Sequence, residues 1–288
     1  MLPWIRGYAM DRIKTWVGHL RNDRRAALGL ILLIALLVGA VGAPILSPHS
    51  PNDFFDGVRE TPGTEGHPLG TDSVGRDLVT RLLYGARVSL LVGLGATILA
   101  AFVGFAVGAI AGYWGGWVDR GLMVVVEVFL SFPAILLAVA LVAFMGPGLS
   151  SVVLALGAVG WTDFARLVRG EVLALKEREF VAAARAAGAG DLRLIVRHLF
   201  PHLAGPMVVM GSFALASAVL SEAALSFLGL GVSPPTPSWG SMLADGRGLM
   251  RVSPHLTWIP GLAITLAVLG FNLLGDGLRD FLDPRTRY

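Results

Sequence analysis

An all-α, polytopic membrane protein with six transmembrane helices is the fold class that the sequence predicts, and three observations carry the prediction. Hydrophobic residues make up 55% of the 288 and charged residues only 15%, well below the ~25% charged of a soluble domain. A mean hydropathy of +0.69 requires roughly six apolar runs of ~20 residues. The sparse cations, all arginine except Lys14 and Lys176, fall between those runs. They are scattered rather than gathered on one solvated face, which excludes a nucleic-acid partner. With no cysteine, disulfides, thiolate metal sites and a Cys nucleophile are also excluded.

The elements follow in chain order. Trp4, Ile5, Tyr8, Ile13, Trp16, Val17 and Leu20 recur at helical spacing with Arg6, Arg12 and Lys14 between them, so residues 1–25 read as a cytoplasmic segment with an interfacial amphipathic helix. The run 26–46 has no charge. Ala-Val-Gly-Ala at 40–43 resembles a signal-peptide cleavage site, but the run exceeds the ~7–15 residues of a signal h-region and favours an uncleaved transmembrane helix. Residues 47–87 form a periplasmic loop. Further apolar runs lie at 88–112, 122–144, 149–164, 206–228 and 258–278 within a core of 88–280, followed by a tail, 281–288.

Six spans place both termini on one side. That side carries 17 Lys and Arg: six before the first span, Arg120, seven from Arg166 to Arg197, and three from Arg279 onward. The other carries six, Arg59, Arg76, Arg81, Arg87, Arg247 and Arg251. The positive-inside rule therefore puts both termini and the loop 166–204 in the cytoplasm of a cell inner membrane.

Within the spans, Ala96, Ala100, Gly104, Gly108 and Gly112 form a four-residue ladder of small side chains, which permits close helix approach either inside the subunit or at a subunit interface. Glu127 and Glu222 lie in apolar stretches, where a carboxylate costs roughly 2.5 kcal/mol or more unless paired, hydrated or protonated. Asp163 lies near a span end. The carboxylates are candidates for proton coupling, or for helix packing and a seat near a mouth. Pro133 predicts a kink in the third span.

Soluble chemistry has little support. There is no HExxH, no Gly-x-Ser-x-Gly and no GxxxxGK[ST] phosphate loop, so any ATP used is expected on another chain. His198 and His202 are four apart, but Pro201 is expected to break the helix that would align them.

The loop 166–204 is the informative segment. From Glu177 to Ala187 an alanine-rich helix begins with acids, as the helix dipole favours, and Gly188 and Gly190 stop it. Asp191 is placed to cap a second helix with Leu192, Ile195, Val196 and Leu199 on one stripe, ended by Pro201. Helices this short are marginal in water, so their apolar faces need a cover, either a groove in a partner protein or the bilayer.

The segment resembles the EAA motif of the inner-membrane permease subunits of bacterial ABC importers, an E-A-A triplet with a glycine and then a proline at fixed distances. Ala182-Ala183-Ala184, Gly188 and Pro201 fit that spacing. Ala182 stands where the family usually has Glu, which leaves the helix–glycine–helix geometry untouched. Further stretches resemble the C-type permease of dipeptide, oligopeptide and nickel importers. They are His67-Pro-Leu-Gly-Thr-Asp-Ser-Val-Gly-Arg-Asp77, Glu222-Ala-Ala-Leu-Ser-Phe-Leu-Gly-Leu-Gly231, Pro234-Pro-Thr-Pro-Ser-Trp-Gly240 and Gly275-Asp-Gly-Leu-Arg-Asp-Phe-Leu-Asp-Pro284.

The resemblance implies the type I permease fold of ABC importers, with residues 179–190 as a coupling helix seated in a cleft of an ATPase subunit. Glu179, Phe180, Ala182, Ala183, Ala184, Arg185, Ala187 and Gly188 are the contact candidates. Glu127, Pro133, Glu222, Gly104 and Gly108 are helix-packing or pathway candidates, with Glu222 structural rather than proton-carrying. Implied partners are a second homologous permease, two ATPase subunits, a periplasmic or lipid-anchored substrate-binding protein and membrane lipid. No cofactor or metal is expected on this chain, and ATP and magnesium belong to the ATPases. Peptide is the first expected substrate, with nickel, glutathione or another small solute behind it, and an ion-coupled secondary transporter is the alternative of another class.

Overall fold

A computed structural model describes residues 23–282; the amphipathic segment expected at 1–20 and most of the tail 281–288 lie outside them. The described residues form helices linked by loops, in the order α1 Arg24–Leu46, α2 Leu78–Trp114, α3 Gly116–Leu130, α4 Ala134–Met145, α5 Leu149–Leu175, α6 Glu179–Ala186, α7 Asp191–Phe227, α8 Trp239–Gly246 and α9 His255–Leu282. Five of these, α1, α2, α5, α7 and α9, are long and apolar enough to cross a membrane, and the bent pair of α3 and α4 makes up to six if its two pieces count as one broken span rather than a re-entrant loop.

Three expected boundaries need correction. The loop 47–87 ends ten residues early, because α2 starts at Leu78 behind the N-cap Asp77, whose carboxylate accepts from the Thr80 N–H at 2.8 Å. Arg81 and Arg87, read from the sequence as loop cations, are helical because each has partners. The Arg87 guanidinium bonds the carbonyls of Ala40 and Val41. Ala40 needs such a donor, because Pro44 in α1 has no N–H to give it.

The third span, expected as one kinked helix over 122–144, is instead broken at residues 131–133. Pro133 is the N-cap residue of α4, and the two pieces meet at 87°. With 15 and 12 residues, α3 and α4 are about 22 and 18 Å long, and neither alone crosses ~30 Å of hydrocarbon.

The loop 166–204 is also shorter than expected. α5 runs on to Leu175 and α7 begins at Asp191, so only 176–190 lies between the long helices. Pro201 does not end the second helix. A π-turn over Leu194–Leu199 precedes it, and the Phe200 N–H bonds the Ile195 carbonyl. The wider turn relieves the clash of a proline ring with the carbonyl four residues back, and the helix runs through to Phe227.

The small-residue ladder is internal packing. A Cβ at Gly104 would meet the Trp161 carbonyl oxygen at 2.6 Å, one at Gly108 the Val168 Cβ at 2.8 Å, and one at Gly112 the Arg169 carbonyl oxygen at 2.9 Å, all on α5. Ala96 and Ala100 are buried along the same helix. α1 docks on α9 in the same manner, since a Cβ at Gly29 would meet the Leu274 backbone nitrogen at 2.8 Å. The other side of α1 leaves Leu28, Ile31, Ile34, Val38 and Val41 exposed, as a lipid-facing helix should.

At one end of the bundle, Leu78, Trp239, Met242, Leu256 and Ile259 form a core that seats α8, a helix without a sequence expectation, on α2 and α9. This is the cap end. At the opposite, hairpin end, Val181, Leu194, Ile195, Leu199 and Leu203 pack on Ala109, Val168 and Val172.

Candidate functional site

The hairpin of α6 and the start of α7 is built on a small number of anchors. Arg178 is the extended N-cap residue before α6, Glu179 supplies an acid to its first turn and Arg185 a base to its last, both charges favourable to the helix dipole. The helix ends in a Schellman motif. Gly188 has φ +84°, its N–H bonds the Arg185 carbonyl at 3.0 Å, and the Ala189 N–H bonds the Ala184 carbonyl at 3.1 Å. The glycine supplies a positive φ that L residues avoid. Nothing lies within 4 Å of a Cβ added there.

Of the eight hairpin candidates, Glu179, Phe180, Ala182, Ala183, Arg185, Ala187 and Gly188 are exposed and together make one surface, and Ala184 is half-buried. The residue that sequence reasoning missed is Val181, which is fully buried and holds α6 to the bundle. An apolar residue three before Ala184 was the available signal. The Phe180 ring lies 4.9 Å from the His202 ring, centroid to centroid.

The expected stripe on the second helix shifts. The π-turn rotates the register so that Leu194 joins Ile195 and Leu199 inside, while Leu192 and Val196 are turned outward, 75% and 54% exposed. Asp191 does not cap its own helix; its carboxylate accepts the Tyr113 hydroxyl at 2.6 Å. The surface beside α6 is therefore more apolar than the sequence indicated.

The second feature is a cavity of about 400 Å³ between α2, the broken α3–α4 pair, α5 and α7. Phe129, Phe132, Ile135, Leu156 and Phe213 make it apolar, and Thr97, Thr162, Ser217 and Ser221 add hydroxyls. The Thr97 hydroxyl is buried without a hydrogen-bond partner, a costly state unless something else meets it. Pro133 shapes the cavity through the 87° break between Leu130 and Ala134, both of which line it. Asp163 lies at its edge and accepts from Arg166 at 2.7 Å.

The two intramembrane glutamates do not come together. Glu127 is on an exposed face of α3. Glu222 on α7 is fully buried and accepts from Ser89 on α2 at 2.9 Å and from Ser226 at 2.7 Å. The Trp239 backbone N–H donates to the Ser89 hydroxyl oxygen at 3.2 Å. Because the Ser226 proton points at Glu222, the 3.3 Å contact with Ser238 has Ser238 as donor. Glu222 thus ties α2, α7 and α8 together, and it does not line the cavity.

Comparison with known proteins places this arrangement. The family described as "Binding-protein-dependent transport system inner membrane component" matches residues 104–288, and the "N-terminal TM domain of oligopeptide transport permease C" matches residues 14–62. A putative peptide transport system permease of Brucella abortus is 46% identical over 93% of this chain and 90% of its own. A glutathione transport system permease of Pectobacterium atrosepticum is 42% identical, covering 94% and 90%. A dipeptide transport system permease of Alkalihalophilus pseudofirmus is 41% identical, covering 93% and 88%. Among solved structures, a chain of the inward-facing MetNI methionine ABC transporter superposes with a TM-score of 0.51 at 20% identity, over 67% of this chain and 94% of that one, a likeness of fold. With the family match spanning more than half the sequence and relatives above 40% identity along nearly all of it, the chain belongs to the binding-protein-dependent transport system inner membrane components, the multi-pass permease subunits of ABC importers.

Proposed function

We propose that this permease subunit moves peptides across the inner membrane and couples to ATPase subunits through the surface of α6 and the start of α7. The observation that carries the coupling reading is the uncovered face at the hairpin. Phe180, Ala182 and Ala183 are exposed on α6, a helix of eight residues too short to persist without support, and Gly188, Leu192 and Val196 are exposed beside them at the turn and the start of α7. A groove in an ATPase would cover that face. The 17 to 6 division of cations supports a cytoplasmic hairpin with both termini on the same side.

In this mechanism a binding protein delivers substrate at the cap end, and a second permease completes a path of which the cavity beside α4 is one wall. Closure of two ATPases, which hold the ATP and magnesium, shifts the hairpins and exchanges access between the two sides. This chain contributes the wall and the lever. Peptide is favoured as substrate because relatives above 40% identity are named for dipeptide, peptide and glutathione, which share amide backbones. The apolar cavity with scattered hydroxyls suits such a cargo.

The test is co-purification in mild detergent followed by uptake in proteoliposomes. Two ATPase chains and a second permease should co-elute, and labelled dipeptide should enter only with ATP and the cognate binding protein. Uptake driven by an ion gradient with no ATPase chain present would overturn the reading. Uptake of nickel or a sugar but not peptide would overturn the substrate alone.

A further inference from the structure

We infer that the Tyr113 hydroxyl is a positioning group that clasps both arms of the hairpin to the end of α2 and makes the hairpin move α2 rather than slide past it. This rests on the coupling role proposed above. Tyr113 is the last residue but one of α2. Its hydroxyl donates to the Asp191 carboxylate of α7 at 2.6 Å, and Arg185 of α6 approaches the same oxygen at 3.5 Å. One phenol therefore meets the last turn of α6 and the first residue of α7, on either side of the Gly188 turn.

The rest of the hairpin's attachment is apolar, through Val181, Leu194, Ile195 and Leu199. Apolar burial is non-directional, and packed helices slide over one another by small shears at modest cost. A short hydrogen bond to a carboxylate is directional and falls off steeply with distance, so it fixes the register that the apolar contact leaves free.

The far side of the joint is already rigid. Lys176, just after α5, donates to the Gly112 carbonyl in the last turn of α2 at 3.0 Å. The glycine ladder brings the α2 and α5 backbones into contact over three turns. Arg169 of α5 in turn grips both carboxylate oxygens of Asp119 on α3. A displacement delivered at Tyr113 thus reaches α2 and α5 together, and both line the cavity, through Thr97 and Ala100 on one and Leu156 and Gly160 on the other.

The test is the number of ATP molecules hydrolysed per substrate transported by the complete reconstituted transporter. Y113F keeps the ring and removes only the hydroxyl. It is expected to assemble with the same partner chains and to melt as the parent does, while the ATP cost per substrate rises about three-fold or more. D191A should match it, D191N, which keeps an acceptor oxygen, should lie nearer the parent, and Y113F/D191A should be no worse than either single change. An unchanged ratio in Y113F, or additive losses in the double variant, overturns the clasp.

A second measurement uses the absence of cysteine. Spin labels at A186C and W114C should keep one separation through ATP turnover in the parent background and spread to several in Y113F. A single unchanged separation in Y113F overturns the clasp. If G188L also retains full coupling, the coupling reading itself has failed; if G188L is uncoupled and Y113F is not, only the clasp has.

Discussion

The cap end and the hairpin end are both irregular, glycine-punctuated segments between long helices, yet the cap is held by a buried network of paired charges and the hairpin chiefly by apolar packing. In the cap, Asp72 is buried and accepts from the backbone of Val74 and Arg76 and from the Arg76 side chain at 2.6 Å, with Arg81 at 3.3 Å. His67 meets Asp77 at 3.0 Å, and Thr71 joins the backbone of Gly57 to that of Glu60. Gly75 has φ +86°, and a Cβ there would strike the Phe55 carbonyl.

These polar groups find their partners inside the chain, although Phe54, Val58 and Val74 of the same segment are exposed and Glu60 Oε2 is buried without a hydrogen-bond partner. At the hairpin, Gly188 and Gly190 face open space and Leu192 and Val196 face outward. Buried polar groups need partners and exposed apolar groups need covers. The network around Asp72, satisfied within the chain, holds the cap's shape, whereas Leu192 and Val196 beside the glycine turn are left open to another molecule.

Substitutions at matched positions can break this contrast. The largest effect is expected for Gly188→Leu, which forces a branched side chain into a positive φ and would push the loop from the proposed ATPase groove. Uptake and transport-coupled ATPase activity should be abolished while membrane insertion persists and the melting temperature falls only by the equivalent of the positive-φ penalty, about 1–3 kcal/mol. Full coupled activity would remove the distinction between the two ends. Next, Asp72→Ala leaves Arg81 buried opposite Arg76 with no carboxylate inside 3.5 Å, and breaking a buried pair costs about 3–5 kcal/mol. Thermal unfolding in detergent should show a large drop, with residual uptake scaling with the folded fraction.

Gly75→Ala should cost less, about 1–3 kcal/mol for the strained φ, with the backbone overlap adding to it. Gly188→Ala meets the same φ penalty but no overlap, so the difference between the two melting shifts measures the space that the cap lacks and the hairpin has. The smallest effect is expected at Asp245, whose half-exposed carboxylate lies 3.6 Å from Arg76 and 3.8 Å from Arg81. Burial raises this carboxyl above the ordinary carboxylate range, against the pull of Arg81 and Arg76. A raised folded value means that the folded state holds the proton more tightly. Its contribution to stability is therefore present at low pH and is lost as the pH rises from the ordinary value through the raised one. Asp245→Asn should remove that slope from a melting series across mildly acidic pH and change stability at neutral pH by no more than about 1 kcal/mol.

Legibility in the sequence followed locality. The glycine stop at 188, the alanine face of α6 and the ladder on α2 depend on neighbours within a turn or two, and their spacing carried them. The N-terminal reach of α2 did not show, because Arg81 and Arg87 become tolerable in a helix only through Asp72, Asp245 and the Pro44-starved carbonyl of Ala40. The sequence placed Pro133 in a kink, whereas a full break needs surrounding helices to accept two short pieces at 87°. Pro201 carried the opposite error: a stop was expected, and a π-turn accommodated it. The anchor Val181 and the clasp at Tyr113 lie on partners distant in sequence, which no spacing rule reports.

Composition and spacing were enough to establish the class of solvent and the rhythm of the chain. Six apolar runs, few charges and their uneven placement follow from the free energy of moving side chains into hydrocarbon, which each residue carries with it. Tertiary structure alone decided which charges and prolines a helix could absorb, where Glu222 found its hydroxyls, and which apolar residues were left uncovered. Those outcomes depend on directional partners brought from other helices, because a hydrogen bond exists only where two groups meet.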